Sequence, residues 1–238
     1  MQKGALVYEG KAKQLFLTED PEVLYVHYKN SATAFNGEKK EEIDGKARLN
    51  NQITAVLFEQ LHTKGIPSHF IEQLSETEQL VKKVDIIPLE VVVRNIAAGS
   101  LAKRLGFDEG HVLKQPLVEF YYKDDALGDP LLTDAHIALL ELVSEDEKLK
   151  LEHLARKINQ ALQEIFQTIG VTLVDFKVEF GRTASGDILL ADEISPDTCR
   201  LWDTETKQKL DKDVFRQNLG NLTDGYAIIL SRLGGNSQ

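Results

Sequence analysis

The first third of the chain alternates apolar and polar positions in short runs. Ala5–Tyr8, Lys13–Thr18 and Val23–Tyr28 read as strands, with Asp20-Pro21 turning between the second and third. The period then changes. Leu49, Ile53, Val56, Leu57 and Leu61 recur at helical spacing, which predicts a helix from about Gly45 to Lys64, closed by Gly65 and Pro67. Strands follow near Ser68–Leu74, Gln79–Lys83 and Leu89–Asn95, and a short helix starts near Ser100 and ends before Gly106. Further on, Ser144 and Glu147 form an S-x-x-E capping box. Leu151, Leu154, Ile158, Leu162, Ile165 and Ile169 supply its apolar stripe, and Gly170 stops the helix. Val171–Glu193 reads as a strand, a turn at Ser185-Gly186 and a return strand. The last segment reads as helical from about Asp211, with a second helix after Asn221.

Strands cluster early and helices flank a later hairpin, so the expected class is α+β rather than alternating α/β. A boundary near Lys83–Pro88 predicts a small N-terminal lobe, residues 1–84, and a larger one, residues 85–238. Clefts between lobes favour ligands.

Composition narrows the function. The 238 residues carry a formal net charge of −10, which argues against a general nucleic-acid or anionic-membrane binder, since both need a basic face. A phosphate site would have to be built locally from Lys, Arg and backbone N–H groups. A single cysteine, Cys199, rules out an intrachain disulfide framework. The first residues show no apolar signal-like stretch, and the longest apolar candidate, around Ile86–Val93, is broken by Pro88 and Glu90. A reduced, cytoplasmic protein is the expectation.

The stretch Leu173–Gly181, LVDFKVEFG, carries the sharpest chemistry. On a strand, Val174, Phe176, Val178 and Phe180 share an apolar face, while Asp175, Lys177 and Glu179 share the other. Folding the hairpin about Ser185-Gly186 predicts Glu179 opposite Asp192. Opposed like charges need compensation, and a Mg²⁺ ion with carboxylate and phosphate oxygens supplies it. The alternative is a solvent-facing strand of alternating charges.

Lys11 and Lys13 follow a glycine at a strand start and could reach a phosphate, although no Walker A motif is present; two exposed edge-strand lysines are the competing account. In IPLEVVVRNIAAGS, Glu90, Val92 and Arg94 share a strand face. Arg94 suits bidentate capture of an anion, with Ser100 near a helix start. A surface salt bridge with an ordinary cap would use the same residues. DEISPDTCRLWD, Asp192 to Asp203, reads as a polar loop carrying Arg200. SATAFNG reads as ending in an Asn36-Gly37 turn, and Cys199 as a packed thiol.

IPLEVVVRNIAAGS and LVDFKVEFG resemble signature stretches of the SAICAR synthetase family, and YEGKAKQLF, SATAFNG and DEISPDTCRLWD match its other recurring segments in order. The resemblance runs over nearly the whole chain. It implies a two-lobed, ATP-grasp-like α+β fold with antiparallel sheets and ATP in the interlobe cleft. It also implies a ligase of purine biosynthesis that joins L-aspartate to an imidazole carboxylate ribonucleotide through an acyl phosphate, releasing ADP and phosphate. By the same resemblance Lys11, Lys13 and Lys123 contact ATP, and the Lys82–Val84 link meets adenine through Lys82 and Val84. Glu179 and Asp192 hold Mg²⁺, Arg94, Ser100 and Arg200 hold the ribonucleotide's anions, and Asp175 and Lys177 position the reacting groups. A homodimer is implied, with no nucleic-acid or membrane partner. One position departs from the family pattern: where Gly-Lys-Gly is expected, the chain has Gly45-Lys46-Ala47, and a Cβ at 47 limits close backbone approach there.

A small-molecule kinase of related two-lobed architecture would use the same lysines and carboxylates, but a catalytic H-R-D-L-x-x-x-N loop is absent. A non-catalytic nucleotide-binding regulator would not need Lys177, Glu179, Asp192 and Arg94 together.

Overall fold

The computed structural model describes residues 1–34 and 37–234. The chain opens with β1 (Leu6–Glu9), β2 (Lys13–Leu17), β3 (Val23–Tyr28), β4 (Ser31–Ala34), β5 (Lys39–Glu42), α1 (Lys46–Thr63), β6 (Phe70–Gln73) and β7 (Glu78–Lys82). It continues through β8 (Asp85–Ile96), α2 (Gly99–Leu105), β9 (Val112–Tyr122), a short 3₁₀ turn (Asp125–Leu127), β10 (Leu131–Leu132) and α3 (Asp134–Leu139). It closes with α4 (Glu145–Thr168), β11 (Val171–Arg182), β12 (Ile188–Ala191), β13 (Cys199–Asp203), α5 (Asp213–Arg216) and α6 (Leu222–Arg232).

One antiparallel sheet has the order β1-β2-β3-β7-β6, and a second has β10-β9-β8-β11-β12, with β13 also on β11. The chain passes from the first sheet to the second between Lys82 and Asp85. The sheets are stitched at Ser68 and His69. Ser68 bridges Leu190, the His69 N–H donates to the Leu190 carbonyl, and the Lys82 N–H donates to the His69 carbonyl.

β11 is the organising strand. Val174, Phe176, Val178 and Phe180 are all buried. Phe176, Val178 and Phe180 join Val91 and Val93 of β8, Ile158 and Leu162 of α4, and Ile53 and Leu57 of α1 in one core. Each such side chain contributes roughly 1.5–3 kcal/mol when fully buried. Phe70 of β6 joins this core, and the first sheet carries two smaller apolar clusters, one of Val26, Tyr28, Ala47 and Val81 and another of Val23, Tyr25 and Leu80. The Ala47 methyl thus packs inside an apolar cluster beneath the first sheet.

The α4 cap forms as its sequence dictates: the Ser144 hydroxyl accepts from the Glu147 N–H at 3.2 Å, and Glu147 Oε2 accepts from the Ser144 N–H at 3.1 Å. Two expectations change. The hairpin register is shifted by one: Arg182 pairs with Ile188, so Glu179 faces Ala191, not Asp192. The turn runs from Thr183 to Asp187, with Gly186 at φ +86°, which centres the hairpin on Ser185 rather than between Ser185 and Gly186. Cys199–Asp203, read as loop, is strand β13 paired with the first half of β11. Asn36 of the expected Asn36-Gly37 turn lies outside the described residues.

Candidate functional site

A cavity of about 1090 Å³ opens between the two sheets. Its first-sheet wall carries an apolar patch of Leu15, Leu24, Val26 and Val81 beside Lys13 and Lys82. Its second-sheet wall is charged, because β8 and β11 turn their polar faces toward it. All twelve residues singled out in the sequence line this one cavity: Lys11, Lys13, Lys82, Val84, Arg94, Ser100, Lys123, Asp175, Lys177, Glu179, Asp192 and Arg200.

The β11 face is a wall of matched charges. Glu90 of β8, not Asp192, stands directly across from Glu179. Lys177 compensates this like-charge pair, its Nζ lying 2.9 Å from Glu90 Oε1 and 2.8 Å from Glu179 Oε1. Lys123 Nζ reaches the same Glu179 oxygen at 2.9 Å. Burial works to lower the Lys177 pKa, but Glu179 and Glu90 outweigh it and hold the ammonium well above the ordinary lysine range. Lys123 is shifted upward too; burial opposes the shift and Glu179 drives it.

Asp192 follows β12 in the left-handed region, at φ +60°. Its carboxylate accepts a charged hydrogen bond from Lys13, whose Nζ also lies 3.0 Å from Glu193 Oε1. Burial alone would raise the Asp192 pKa; Lys13 and Lys177 instead hold it well below the carboxylate range. Lys13 lies on β2, which pairs with strands on both sides, so the edge-strand account does not apply to it. Lys11 is exposed and pairs with Asp125 at 2.7 Å. Beneath Asp192, His69 places Nε2 3.2 Å from the Asp192 carbonyl. Burial, with Lys13 nearby, pushes the His69 pKa down to about 4, so the ring is neutral.

At the other end, two guanidinium groups converge on Asp175. Arg94 Nη1 donates to its Oδ2 at 2.7 Å, and Arg200 Nη1 donates to the same oxygen at 2.8 Å. Arg94 Nε also donates to Glu119 at 2.7 Å, and its Nη2 lies 3.2 Å from the hydroxyls of Ser100 and Tyr121. Arg200 Nε donates to Asp213 at 2.9 Å. Arg104 also bonds Glu119 and Arg216 also bonds Asp213, so four guanidinium groups share the three acids Asp175, Glu119 and Asp213, an arrangement that leaves positive potential available to an anion. Gly99 makes room for it: a Cβ there would sit 2.4 Å from Arg200 Nη2, and the residue holds φ +53°.

Sequence reasoning missed the supporting acids Glu119, Glu193 and Asp213, and the buried Lys46–Asp197 pair at 2.6 Å. These contacts join residues separated in the chain, and no local pattern marks them. Cys199 is buried, and burial pushes its thiol pKa up, in keeping with a packed thiol.

A family model described as SAICAR synthetase matches residues 6–233. The chain belongs to the SAICAR synthetase family. It is 67% identical to the phosphoribosylaminoimidazole-succinocarboxamide synthase of Lysinibacillus sphaericus over 99% of this chain and all of that protein. It is 61% identical to the Bacillus subtilis synthase over 98% of this chain and 97% of that one. Among solved structures, the Ehrlichia chaffeensis synthase superposes with a TM-score of 0.95 at 46% identity, covering 98% of this chain and all of that chain. A SAICAR synthetase in complex with ADP superposes at 0.94 with 47% identity, covering 98% and 99%. No helix among the described residues is long and apolar enough to cross a membrane.

Proposed function

We propose that this protein is an ATP-dependent carbon–nitrogen ligase of purine biosynthesis, joining L-aspartate to the aminoimidazole carboxylate ribonucleotide. The observation that carries this reading is the continuity of one cavity. It runs from a lysine–carboxylate wall suited to nucleotide phosphates to a two-arginine cluster suited to a second anion. Family membership selects the ligase over a kinase or a regulator built from the same parts.

ATP lies between the two sheets in this account, an ATP-grasp-like use of the lobes at 1–84 and 85–238. Adenine packs against Leu15, Leu24, Val26 and Val81 and meets the Lys82–Val84 link, and the phosphates face Lys11, Lys13 and Lys123. Glu179 and Asp192 are hard oxygen donors whose charge is balanced by lysines here. That donor chemistry fits Mg²⁺, which takes one or two carboxylates and completes its shell with phosphate and water oxygens. Bound there, Mg²⁺ would neutralise phosphate charge, and Lys13, Lys123 and Lys177 would be released to hydrogen-bond the phosphates.

Arg94, Arg200 and Ser100 hold the anionic group of the ribonucleotide. Asp175 fixes both guanidinium groups, so the imidazole carboxylate is oriented before reaction. One carboxylate oxygen attacks the γ-phosphorus, the bond to the bridging oxygen breaks, and ADP departs. Lys177, held cationic by Glu179 and Glu90, stabilises the charge on the acyl phosphate. The aspartate amine then attacks the acyl carbon; it loses a proton and inorganic phosphate leaves with the former carboxylate oxygen. A cytoplasmic homodimer belongs to the same proposal and rests on family membership. The test is an oxygen-18 label in the ribonucleotide carboxylate: one labelled oxygen should appear in released phosphate, and phosphate free of label would overturn the acyl-phosphate route.

A further inference from the structure

We infer that Asp211 is a positioning residue for ribonucleotide capture: its buried carboxylate ties β13 to the start of α5 and so sets Arg200 against its counter-ion Asp213. This rests on the reading of Arg200 as a ribonucleotide contact.

Asp211 lies between β13 and α5, is fully buried, and is not among the residues that line the cavity. Its two oxygens accept from two backbone N–H groups. Oδ2 accepts from Leu201 at 2.8 Å, and Oδ1 accepts from Asp213 at 2.7 Å. Leu201 follows Arg200 on β13, and the Asp213 carboxylate accepts from Arg200 Nε at 2.9 Å and from Arg216 Nη1 at 2.6 Å. One side chain therefore fixes both the strand that carries the guanidinium and the backbone that carries its acid. The clamp is held from behind as well. The Leu210 N–H donates to the Leu201 carbonyl at 2.8 Å, and α6 packs so closely that a Cβ on Gly225 would lie 2.9 Å from Leu210 Cα.

The clamp needs two acceptor oxygens, because both of its partners are donors. An asparagine would turn an NH₂ group toward one of the two N–H groups and leave that buried donor unpaired. Among the described residues no cation bonds Asp211, so its charge is balanced by main-chain dipoles and by more distant groups. The titratable and charged groups that face it are Arg200 and Cys199 of β13, Asp213 of α5 and Tyr226 of α6. Burial and the Asp213 carboxylate push the Asp211 pKa up to about 7, against the pull of the two N–H groups and Arg200. Cys199 and Tyr226 are themselves shifted upward and stay protonated there. Ionised, Asp211 makes two charge-assisted bonds; protonation turns one oxygen into a hydroxyl and weakens one of them. The clamp thus loosens as pH falls through about 7. By linkage, a ribonucleotide that binds the clamped form lowers the Asp211 pKa. A simple charge effect has the opposite sign, since a bound anion nearby would raise it.

The experiment compares wild type, Asp211→Asn and Arg200→Gln in steady-state kinetics from about pH 6 to about pH 9, with each substrate varied in turn and folding checked by circular dichroism. An unpaired buried donor in the clamp predicts a rise of about 5- to 50-fold in the KM for the ribonucleotide in Asp211→Asn at pH 8. The KM for Mg-ATP should stay within about twofold. Wild type should show a bend in the ribonucleotide KM near pH 7, with weaker binding on the acid side, and Asp211→Asn should lack it. If Asp211→Asn does not fold, carboxyl ¹³C NMR of aspartate-labelled wild type decides: the aspartate that titrates near neutrality should shift its midpoint down by about half a unit or more when the ribonucleotide is bound. An unchanged ribonucleotide KM in Asp211→Asn, an equal rise for ATP, superimposable pH profiles, or a midpoint that stays or rises would each overturn the inference. Arg200→Gln tests the parent reading separately, because an unchanged ribonucleotide KM in that variant would remove Arg200 as a contact whatever Asp211 does.

Discussion

Gly99→Ala separates backbone strain from a specific effect on substrate capture. At φ +53° an alanine pays about 1–2 kcal/mol for the left-handed conformation. Its Cβ would lie 2.4 Å from Arg200 Nη2 and 2.7 Å from Cζ. Elsewhere the free end of an arginine could swing aside. Here the guanidinium is pinned by Asp175 and Asp213 at 2.8 and 2.9 Å. Moving it weakens charge-assisted bonds worth roughly 1.5–3 kcal/mol each. Gly106→Ala is the control, since Gly106 closes the same helix at φ +71° and a methyl placed there would meet nothing within 4 Å. Both variants should lose about 2–8 °C in Tm from the conformational cost. Only Gly99→Ala should raise the KM for the ribonucleotide, by about 10-fold or more, with the KM for ATP little changed. Thermal melting and initial-rate assays read the two effects. Equal kinetics for the two variants would refute the claim that Gly99 exists to seat Arg200.

Glu179→Gln removes the acid that receives both Lys123 and Lys177, and the Mg²⁺ concentration giving half-maximal rate should rise about tenfold or more at fixed ATP; an unchanged requirement would count against Glu179 as a ligand. His69 is neutral in the fold with its pKa at about 4, against 6.5 for a free histidine. The unfolded chain therefore takes up the proton first, so this contribution is present above pH 6.5 and lost as pH falls toward 4, to a total of about 3 kcal/mol. Denaturant titrations across that window should show a shallower acid-side loss for His69→Gln, and parallel curves would contradict the reading.

Elements with strong local signals were legible in the sequence. The Ser144–Glu147 box and the stripe ending at Gly170 delimit α4 because both are local, and the two faces of β11 follow from strict alternation. Contacts between distant segments were not legible. The β11–β12 turn, with Gly186 left-handed, shifts the register by one residue, so Glu179 meets Ala191 on β12 rather than Asp192, while Glu90 faces it from β8 on the other side. Asp192 still reaches the cavity, because its own left-handed backbone turns it toward Lys13. β9 escaped notice because Lys114, Gln115 and Pro116 interrupt its apolar positions, and β13 because it sits inside a segment dense in turn-forming residues. The site chemistry was carried by residue types at strand spacing, which bring Asp175, Lys177 and Glu179 to one face whatever the neighbouring register. Glu119, Asp213 and the Lys46–Asp197 pair depend on tertiary packing alone.

The most direct test of the ligase assignment is ADP release from the full-length protein with Mg-ATP and the carboxyaminoimidazole ribonucleotide, with and without L-aspartate, and product mass read in parallel. The predicted result is sustained release only when all three substrates are present, with one succinocarboxamide formed per ADP. Sustained release indifferent to aspartate, or without the amide product, would contradict it.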